Sequence, residues 1–322
     1  MTAVRSQRAS ADAPVDWLPA NLRGPLRLDE AMSRHTTWRV GGPAERFFQP
    51  ADRDDLACFL AAAPESEPLY WCGFGSNLLV RDGGLAGTVI CLHPGISGIA
   101  VRADDATVQV DAGASCARVA RLASRAGLHG AEFLAGIPGT MGGALAMNAG
   151  AHGGETWRLV AEVETVDRHG MFHVRQPDAF RAGYRTVVGR WPEEWFVGVL
   201  LRLSPGDPQA SLDRIREGLA RRAATQPIGR PSCGSVFRNP PGQFAAALIE
   251  SAGLKGFRIG GAEVSRKHAN FIINPDGGRA ADIESLILMI KRRVLEMHGV
   301  ELEPECRILG EPGEHTETGG TA

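Results

Sequence analysis

The 322-residue sequence lacks cysteines at the short spacings that bind metal ions or form redox disulfides. Its six cysteines, at positions 58, 72, 91, 116, 233 and 306, lie far apart, and no C-x-x-C pair is present. A zinc ribbon and a dithiol redox motif are therefore excluded, and no metal site is predicted. Isolated cysteines are typical of a reducing compartment, so we expect a cytoplasmic protein.

Long apolar runs and a strong net charge are also missing. The longest apolar run has eight residues, 56–63, far short of the roughly 20 that a membrane-spanning helix needs. Lysine and arginine total 35 against 37 aspartate and glutamate, a net charge of −2. Neither nucleic acid nor a membrane is an expected partner, because no global positive field would attract them.

Hydrophobic residues make up 43% of the chain and charged residues 22%, as in ordinary globular proteins. Three blocks that each mix helix and strand are predicted: residues 17–92, 93–207 and 208–310. The ends, residues 1–16 and 311–322, are expected to be disordered.

Helical and strand patterns alternate within these blocks. Helices are predicted at residues 52–63, 115–127, 211–224, 243–253 and 282–298, and strands at residues 45–49, 69–72, 78–81, 88–92, 107–111, 160–166, 171–174, 195–203 and 270–274. In the last helix Ile283, Leu286, Ile287, Ile290 and Val294 recur at helical spacing, which predicts that one face covers a core.

Glycine is abundant, with 40 residues, and the first glycine-rich segment contains Gly73 and Gly75. The segment is predicted as strand, turn and strand, and the main-chain amides at Ser76 and Asn77 could form an anion-binding nest. An ordinary hairpin turn is the alternative. A dinucleotide-binding fingerprint is excluded, because Leu78 stands where the third glycine would open a helix.

The second glycine-rich segment, residues 135–150, contains five glycines. Such a segment can lay its main chain directly against a flat or charged ligand, since few β-carbons stand in the way. On this argument a β-carbon at Gly75 or Gly142 is expected to displace the ligand. The alternative is close packing of a helix against a sheet.

Several motifs, taken in order, resemble the UDP-N-acetylenolpyruvoylglucosamine reductase family. They are residues 39–44, 73–82 and 136–150 of the flavin-binding half, the serine segment 232–240, residues 253–256 and 267–271, and the glutamate segment 302–307. The resemblance covers residues 35 to 310. The short stretch between Arg185 and the helix at residue 211 resembles the family's shorter type, which lacks an inserted lid over the substrate.

The resemblance implies an α+β protein with a vanillyl-alcohol-oxidase-type FAD-binding fold. Two α/β subdomains would bind FAD, and a C-terminal α+β domain would bind the substrate, a UDP-sugar. NADPH would be the electron donor for reduction of the enolpyruvyl ether of UDP-N-acetylglucosamine, a step in peptidoglycan precursor synthesis. No His-x-Cys attachment pattern is present, so non-covalent FAD is expected.

Site residues are carried over from the family by matching motifs. The expected catalytic residues are Arg185, Ser235 and Glu305, and the expected substrate contacts are Tyr184, Asn239, His268 and Arg307. The expected FAD-binding residues are Arg39, Gly41, Gly42, Gly73, Gly75, Ser76, Asn77, Ile137, Pro138, Gly139, Gly142, Gly143, Asn148 and Gly150. The chain departs from the family after Arg185, where Val187 replaces a common serine and Gly189 an aromatic residue.

The chemistry explains why these three residue types would serve as the catalytic set. Hydride addition to the β-carbon of an enol ether leaves negative charge on the α-carbon and its carboxylate, which Arg185 could stabilise with its planar fork. Ser235 could give the α-carbon a proton. Glu305 would need to be protonated or to share a proton with the enolate, and burial would raise its pKa in that direction.

Other interpretations stay open at this point. Ser235 could belong to a plain turn, and Glu305 could be a solvated carboxylate in a charge-rich tail. The same fold could serve an FAD-dependent oxidase or dehydrogenase of another small molecule, or a nucleotide-binding scaffold without chemistry.

Overall fold

The computed structural model describes residues 16–313, so the expected disorder of residues 1–16 and 311–322 falls almost wholly outside that range. Within residues 16–313, no helix combines the length and the apolar character needed to span a membrane. Three units follow one another along the chain, and their hydrophobic cores are partly shared. Trp38, Val40 and Leu79 of the first unit join the core of the third, and one cluster joins residues of the first unit with Val166 and Val197 of the second.

The first unit contains a four-stranded sheet of order β1-β2-β5-β3. Its elements are β1 (Leu26–Ala31), β2 (Pro43–Phe48), α1 (Arg53–Ala62), β3 (Leu69–Cys72), β4 (Leu78–Val80) and β5 (Leu85–Cys91). β1 is antiparallel to β2, and the other neighbours are parallel. The carboxylate of Asp52 accepts the amide of Asp55 and so caps α1, as expected for a helix that begins after an aspartate.

The second unit is built on a five-stranded antiparallel sheet of order β12-β11-β15-β7-β6. Its elements are β6 (Ile99–Arg102), β7 (Thr107–Asp111), α2 (Cys116–Arg125), β8 (Leu128–His129), α3 (Met141–Ala146), β9 (Gly150–Ala151), β10 (Gly154–Glu155), β11 (Val160–Asp167), β12 (Phe172–Arg175), β13 (Phe180–Gly183), β14 (Thr186–Gly189), β15 (Glu194–Arg202), β16 (Ser204–Pro205) and α4 (Pro208–Thr225). The buried face of α2 packs on this sheet through Val119, Ala120 and Ala123.

α4 packs on the second unit rather than on the third. Its buried Ile215 joins the same core as Val119 of α2, and Leu212 and Leu219 lie against that core. The sequence-based boundary at residue 208 assigned this helix to the C-terminal unit. That assignment is wrong for α4, because the apolar face of this helix is buried against the second unit.

The third unit pairs two helices with a small three-stranded antiparallel sheet. Its elements are α5 (Ala245–Ser251), β17 (Arg258–Ile259), β18 (Ala262–Val264), β19 (Ile272–Ile273), α6 (Ala280–His298) and β20 (Arg307–Leu309). The predicted core face of α6 is confirmed, since all five of its periodic apolar residues are buried. Gly299 ends α6 in a left-handed conformation, φ +66°, that suits glycine.

The third unit is joined to the first at several points. β20 returns to the first unit and pairs in parallel with β4. The carboxylate of Asp82 accepts the amides of Ala280 and Ala281 at the start of α6. These contacts hold β20 and the start of α6 against the first unit, next to the β3–β4 turn, where the cleft described below opens.

The fold contains several elements that the sequence did not predict, among them the strands β6, β8, β9, β10, β16, β17, β18 and β20. β1, the short helix α3 inside the glycine-rich segment and the β13–β14 hairpin were not predicted. The strand expected at residues 270–274 is confined to β19, because the main chain on either side bonds other segments. The carbonyl of Asn270 accepts the amide of Val236, and the amide of Asn274 donates to the Pro231 carbonyl.

Candidate active site

A cleft of about 510 Å³ lies where the three units meet. The first unit contributes the β3–β4 turn, and the second contributes the segment leading into α3 and the β9–β10 hairpin. The third contributes residues around Ser235 and Glu305, and the last turn of α4 lines another side.

Most of the residues predicted to bind FAD line this cleft. Those that do are Gly73, Gly75, Ser76, Asn77, Ile137, Pro138, Gly139, Gly143 and Gly150. Arg39, Gly41, Gly42, Gly142 and Asn148 are not among its lining residues. We call residues 73–77 and 136–143 the glycine wall.

Three glycines of this wall have an open face. A β-carbon on Gly136, Gly139 or Gly143 would have no neighbouring atom closer than 3.6 Å. The nearest atom would be Oγ of Ser76, seen from Gly139. A ligand can therefore approach the main chain here more closely than any other residue type would allow.

Gly142 behaves differently, and the expectation that it faces the ligand is wrong. A β-carbon there would lie 3.1 Å from the β-carbon of Ala112, and its amide donates to the Ala112 carbonyl at 2.8 Å. This position packs α3 against the residue that follows β7. The alternative of close packing thus holds at Gly142, while the ligand-facing interpretation suits Gly143.

Gly75 lines the cleft, and the fold also requires a glycine at this position. Its φ of +62° is a conformation that L side chains rarely adopt, and a β-carbon would collide with the carbonyl of His35. The loop before β2 lies behind the turn: a β-carbon on Gly41 would meet Val80, and one on Gly42 would meet the main chain of Asp82. This loop therefore supports the glycine wall from outside the cleft.

Asn77 links the glycine wall to the glutamate segment. Its Nδ2 donates to the Glu305 carbonyl at 3.1 Å, and its own carbonyl accepts the amide of Arg307 at 2.9 Å. These bonds start the pairing of β4 with β20. The side chain of Asn77, which was predicted to bind the cofactor, thus holds Glu305 beside the glycine wall.

The three predicted catalytic residues, Arg185, Ser235 and Glu305, all line the cleft, and we call them the catalytic cluster. Nε of Arg185 lies 2.9 Å from Oε1 of Glu305. The Nε–H group is not aimed at that oxygen, since this buried nitrogen has no hydrogen-bond partner of acceptable geometry in the described part of the chain. The contact is therefore a close ion pair rather than a directed hydrogen bond.

Main-chain pairing places Ser235 next to Glu305. The amide of Glu305 donates to the Val236 carbonyl at 2.7 Å, and the amide of Val236 donates to the Asn270 carbonyl at 2.9 Å. The Asn270 side chain bonds both main-chain groups of Phe237. The serine segment is thus clamped between two neighbouring strands of chain.

The environment of Glu305 makes its carboxyl group easier to protonate than that of a solvated glutamate. Burial raises the pKa of Glu305 above its ordinary value, while Arg185 and, more weakly, Arg238 oppose that shift. Burial dominates. A carboxyl group in this position can hold a proton at higher pH than a solvated glutamate, and the solvated-tail interpretation is wrong for a side chain that is 17% exposed.

The four predicted substrate contacts are dispersed. Arg307 lines the cleft. Tyr184 is exposed at the tip of the β13–β14 hairpin, with its ring 5.2 Å from the guanidinium of Arg185. Asn239 accepts the amide of Ala245 at the start of α5, and His268 packs edge-on against Phe271, so neither lines the cleft.

Asn148 also takes a structural position. It is buried, its Nδ2 donates to the Gly183 carbonyl at 3.1 Å, and its Oδ1 accepts the amide of Trp157. It therefore anchors the hairpin that carries Arg185.

The sequence-based prediction missed two arginines on the last turn of α4, Arg221 and Arg222, which line the cleft. Arg222 bonds the Gly136 carbonyl and Gln226, and burial lowers its pKa. Among residues 16–313 no carboxylate lies within ion-pair distance of this half-buried cation, although charges removed from water are usually paired. Two adjacent arginines near the C-terminus of a helix could have indicated a binding site for an anion. They were not selected, because basic residues are common at this end of a helix, where they interact favourably with the helix dipole.

Comparisons with known proteins identify relatives that match about nine-tenths of the chain. Residues 44–174 match the family described as FAD binding domain, and residues 226–309 match UDP-N-acetylenolpyruvoylglucosamine reductase, C-terminal domain. The UDP-N-acetylenolpyruvoylglucosamine reductase of Alkalilimnicola ehrlichii is 58% identical over 288 residues, 89% of this chain and 96% of that protein. The reductase of Methylococcus capsulatus is 58% identical over 290 residues, 90% of this chain and 94% of that protein.

A solved structure shows the same fold. The UDP-N-acetylenolpyruvylglucosamine reductase of Thermus caldophilus superposes with a TM-score of 0.75 at 36% identity, covering 89% of this chain and 99% of that one. The predicted α+β FAD-binding fold is confirmed.

Proposed function

Since the chain belongs to the UDP-N-acetylenolpyruvoylglucosamine reductase family and is an FAD-containing oxidoreductase, we propose that it reduces the enolpyruvyl ether of UDP-N-acetylglucosamine to UDP-N-acetylmuramate. NADPH is the proposed electron donor. The proposal places the reaction in peptidoglycan precursor synthesis in the cytoplasm, where the six free thiols would remain reduced.

One observation carries this proposal. Arg185, Ser235 and Glu305 come from three distant parts of the chain and line the same cleft as the glycine wall. A reductase of this kind needs both elements, because the cofactor must lie flat against one wall while charge and protons are handled beside it.

The residues present fit FAD. The open faces of Gly136, Gly139 and Gly143 admit a flat or extended ligand against the main chain. Two arginines of the cleft supply positive charge that suits phosphate groups of cofactor or substrate: Arg222, which is half-buried and has no carboxylate partner among the described residues, and Arg307. When bound and reduced by NADPH, FAD would supply the hydride that the β-carbon of the substrate receives.

The catalytic cluster then handles the negative charge and the proton. The guanidinium of Arg185 stabilises the charge that builds on the α-carbon and its carboxylate. Glu305 in its protonated form donates a hydrogen bond to the same oxyanion, a form that its burial favours. The hydroxyl of Ser235 gives the proton to the α-carbon, because a carbanionic enolate is a strong enough base to accept it.

The visible spectrum of the purified protein tests this proposal. We expect a yellow protein that NADPH bleaches and that the enolpyruvyl nucleotide recolours. A colourless protein that takes up no FAD would indicate a nucleotide-binding scaffold. A bleached protein that oxygen recolours readily and the enolpyruvyl nucleotide does not would indicate an oxidase or dehydrogenase of another small molecule. NADH in place of NADPH is the control for donor preference.

A further inference from the structure

The hairpin that carries Arg185 has little support of its own. Among the strands of residues 16–313, β13 and β14 pair only with each other and extend neither of the larger sheets. An isolated two-stranded hairpin is at best marginally stable in water. Contacts from outside must therefore hold Arg185 at its place in the cleft.

The conformation of Arg185 increases this need. Its φ of +55° lies in the left-handed region, which is uncommon for a residue with a β-carbon. Such a conformation persists only where the surroundings fix it. Asn148 fixes one side of the turn through the Gly183 carbonyl, and the other side is the carbonyl of Arg185 itself.

Arg238, which belongs to the third unit, donates a hydrogen bond to the carbonyl of Arg185. Its Nη2 donates to the Arg185 carbonyl at 3.1 Å, and its Nη1 lies 3.1 Å from Oε1 of Glu303. The amide of Arg238 donates to the Glu303 carbonyl at 3.0 Å, so its backbone belongs to the strand pair that also aligns Ser235 with Glu305. The ion pair with the exposed Glu303 adds little stability, because water screens it. The bond from Arg238 to the Arg185 carbonyl is the contact that restrains the hairpin turn.

We propose that Arg238 is a positioning residue that holds the strained turn of the Arg185 hairpin against the serine and glutamate segments. It joins the hairpin to the segment carrying Ser235 and so fixes the relative positions of all three catalytic residues. This inference rests on the proposed function for its kinetic test.

The positive charge of Arg238 also affects the pKa of Glu305. Charged or titratable groups that face Glu305 are Arg185 from the hairpin and Arg238 and Cys233 from the serine segment, while Glu303 and Arg307 flank it in sequence. Arg238 opposes the rise in the pKa of Glu305. Removing this charge is therefore expected to raise that pKa further and to shift the pH limb set by Glu305 to higher pH.

Two substitutions separate position from charge. Arg238→Gln removes both the fork and the charge. We expect flavin reoxidation by the enolpyruvyl nucleotide to slow about 10- to 100-fold, as for small displacements of catalytic groups, with bleaching by NADPH unchanged. Arg238→Lys keeps the charge but cannot reproduce the fork, so it should keep the wild-type pH limb and recover the rate only in part.

A matched control is Arg81→Gln. Arg81 likewise pairs with a glutamate of the third unit, Glu284, and donates to the Gly310 carbonyl, but it does not line the cleft. This variant should keep the wild-type reoxidation rate. Amide exchange of residues 183–186, measured without substrate, should accelerate in Arg238→Gln and not in Arg81→Gln, whether or not the proposed reaction is the right one.

A double-mutant cycle completes the test. If Arg238 acts through Arg185, Arg238→Gln should slow an Arg185→Gln protein little further. Additive losses, or unchanged reoxidation and amide exchange in Arg238→Gln, would overturn the inference. A wild-type protein that the enolpyruvyl nucleotide does not recolour would instead refute the proposed function, and the exchange measurement would then decide on Arg238 alone.

Discussion

The glycine wall and the catalytic cluster face the same cleft but are assembled in opposite ways. The wall consists of two short continuous segments, residues 73–77 and 136–143, and exposes the main chain at Gly136, Gly139 and Gly143. The cluster consists of three side chains from distant segments, brought together by strand pairing and by side-chain bonds to main-chain carbonyls. The comparison teaches that a binding surface can be encoded locally, whereas a reacting geometry here depends on long-range contacts.

Glu305 provides the strongest way to sharpen this comparison. Glu305→Ala should slow flavin reoxidation by about 10²- to 10³-fold, the usual effect of removing an oxyanion donor. Glu305→Gln should lose less, because its amide still donates from the same place. Both rates are measured at equal flavin content.

The contrary outcomes for Glu305 are equally informative. If Gln is as damaging as Ala, the residue acts as a negative charge that orients Arg185 or Arg307. If neither variant slows reoxidation, Glu305 lies outside the chemistry.

The pH dependence of reoxidation tests the protonated form of Glu305. Burial raises its pKa, so the rate should stay high while Glu305 is protonated and fall as rising pH removes the proton. This fall should lie above the ordinary glutamate pKa of about 4.3. The same limb should be absent from Glu305→Gln, and its persistence there would assign it to another group.

Two glycine substitutions test the glycine wall. Gly139→Val places a side chain in the open face of the glycine wall, so we expect a normally stable protein with little bound flavin. Gly142→Val should instead lower the free energy of unfolding by about 1–3 kcal/mol, because its β-carbon would press on Ala112. Flavin absorbance and denaturant unfolding measure the two effects. The reverse pattern would mean that the orientation of α3 has been misassigned.

A contact remote from the cleft should have the smallest effect. Asp82→Ala removes the acceptor for the first amides of α6 and should cost about 1 kcal/mol of stability. Reoxidation should be unchanged. Asp213→Ala on the exposed face of α4 is the control, with no expected change in stability. A large loss of reoxidation in Asp82→Ala would show that the unit contacts control the cluster more widely than described.

The sequence predicted the glycine wall but not which glycines face the ligand. The clustering of glycine is visible in the chain, and the two segments do meet. Gly142 and Gly143, however, are neighbours on a short helix and therefore point in different directions. The orientation of α3 depends on its contact with Ala112, which local sequence does not indicate.

The catalytic cluster was predicted only through family resemblance. Nothing local distinguishes Ser235 from a turn serine, or Glu305 from its acidic neighbours. Their roles depend on the pairing of residues 236 and 305 and on burial, both of which are long-range. Arg238 and Asn148 were harder still, because their partners are main-chain carbonyls of a distant hairpin, and any sequence offers such acceptors.

The most direct test of this division of labour is the rate of each half-reaction in Ser235→Ala. Bleaching by NADPH should keep its wild-type rate, because the glycine wall and the bound flavin are intact. Reoxidation by the enolpyruvyl nucleotide should slow by about 10²- to 10⁴-fold, as expected for loss of a general acid, and Ser232→Ala should leave both rates unchanged. Equal slowing of both half-reactions, or an unaffected reoxidation, would contradict the assignment of proton transfer to the catalytic cluster.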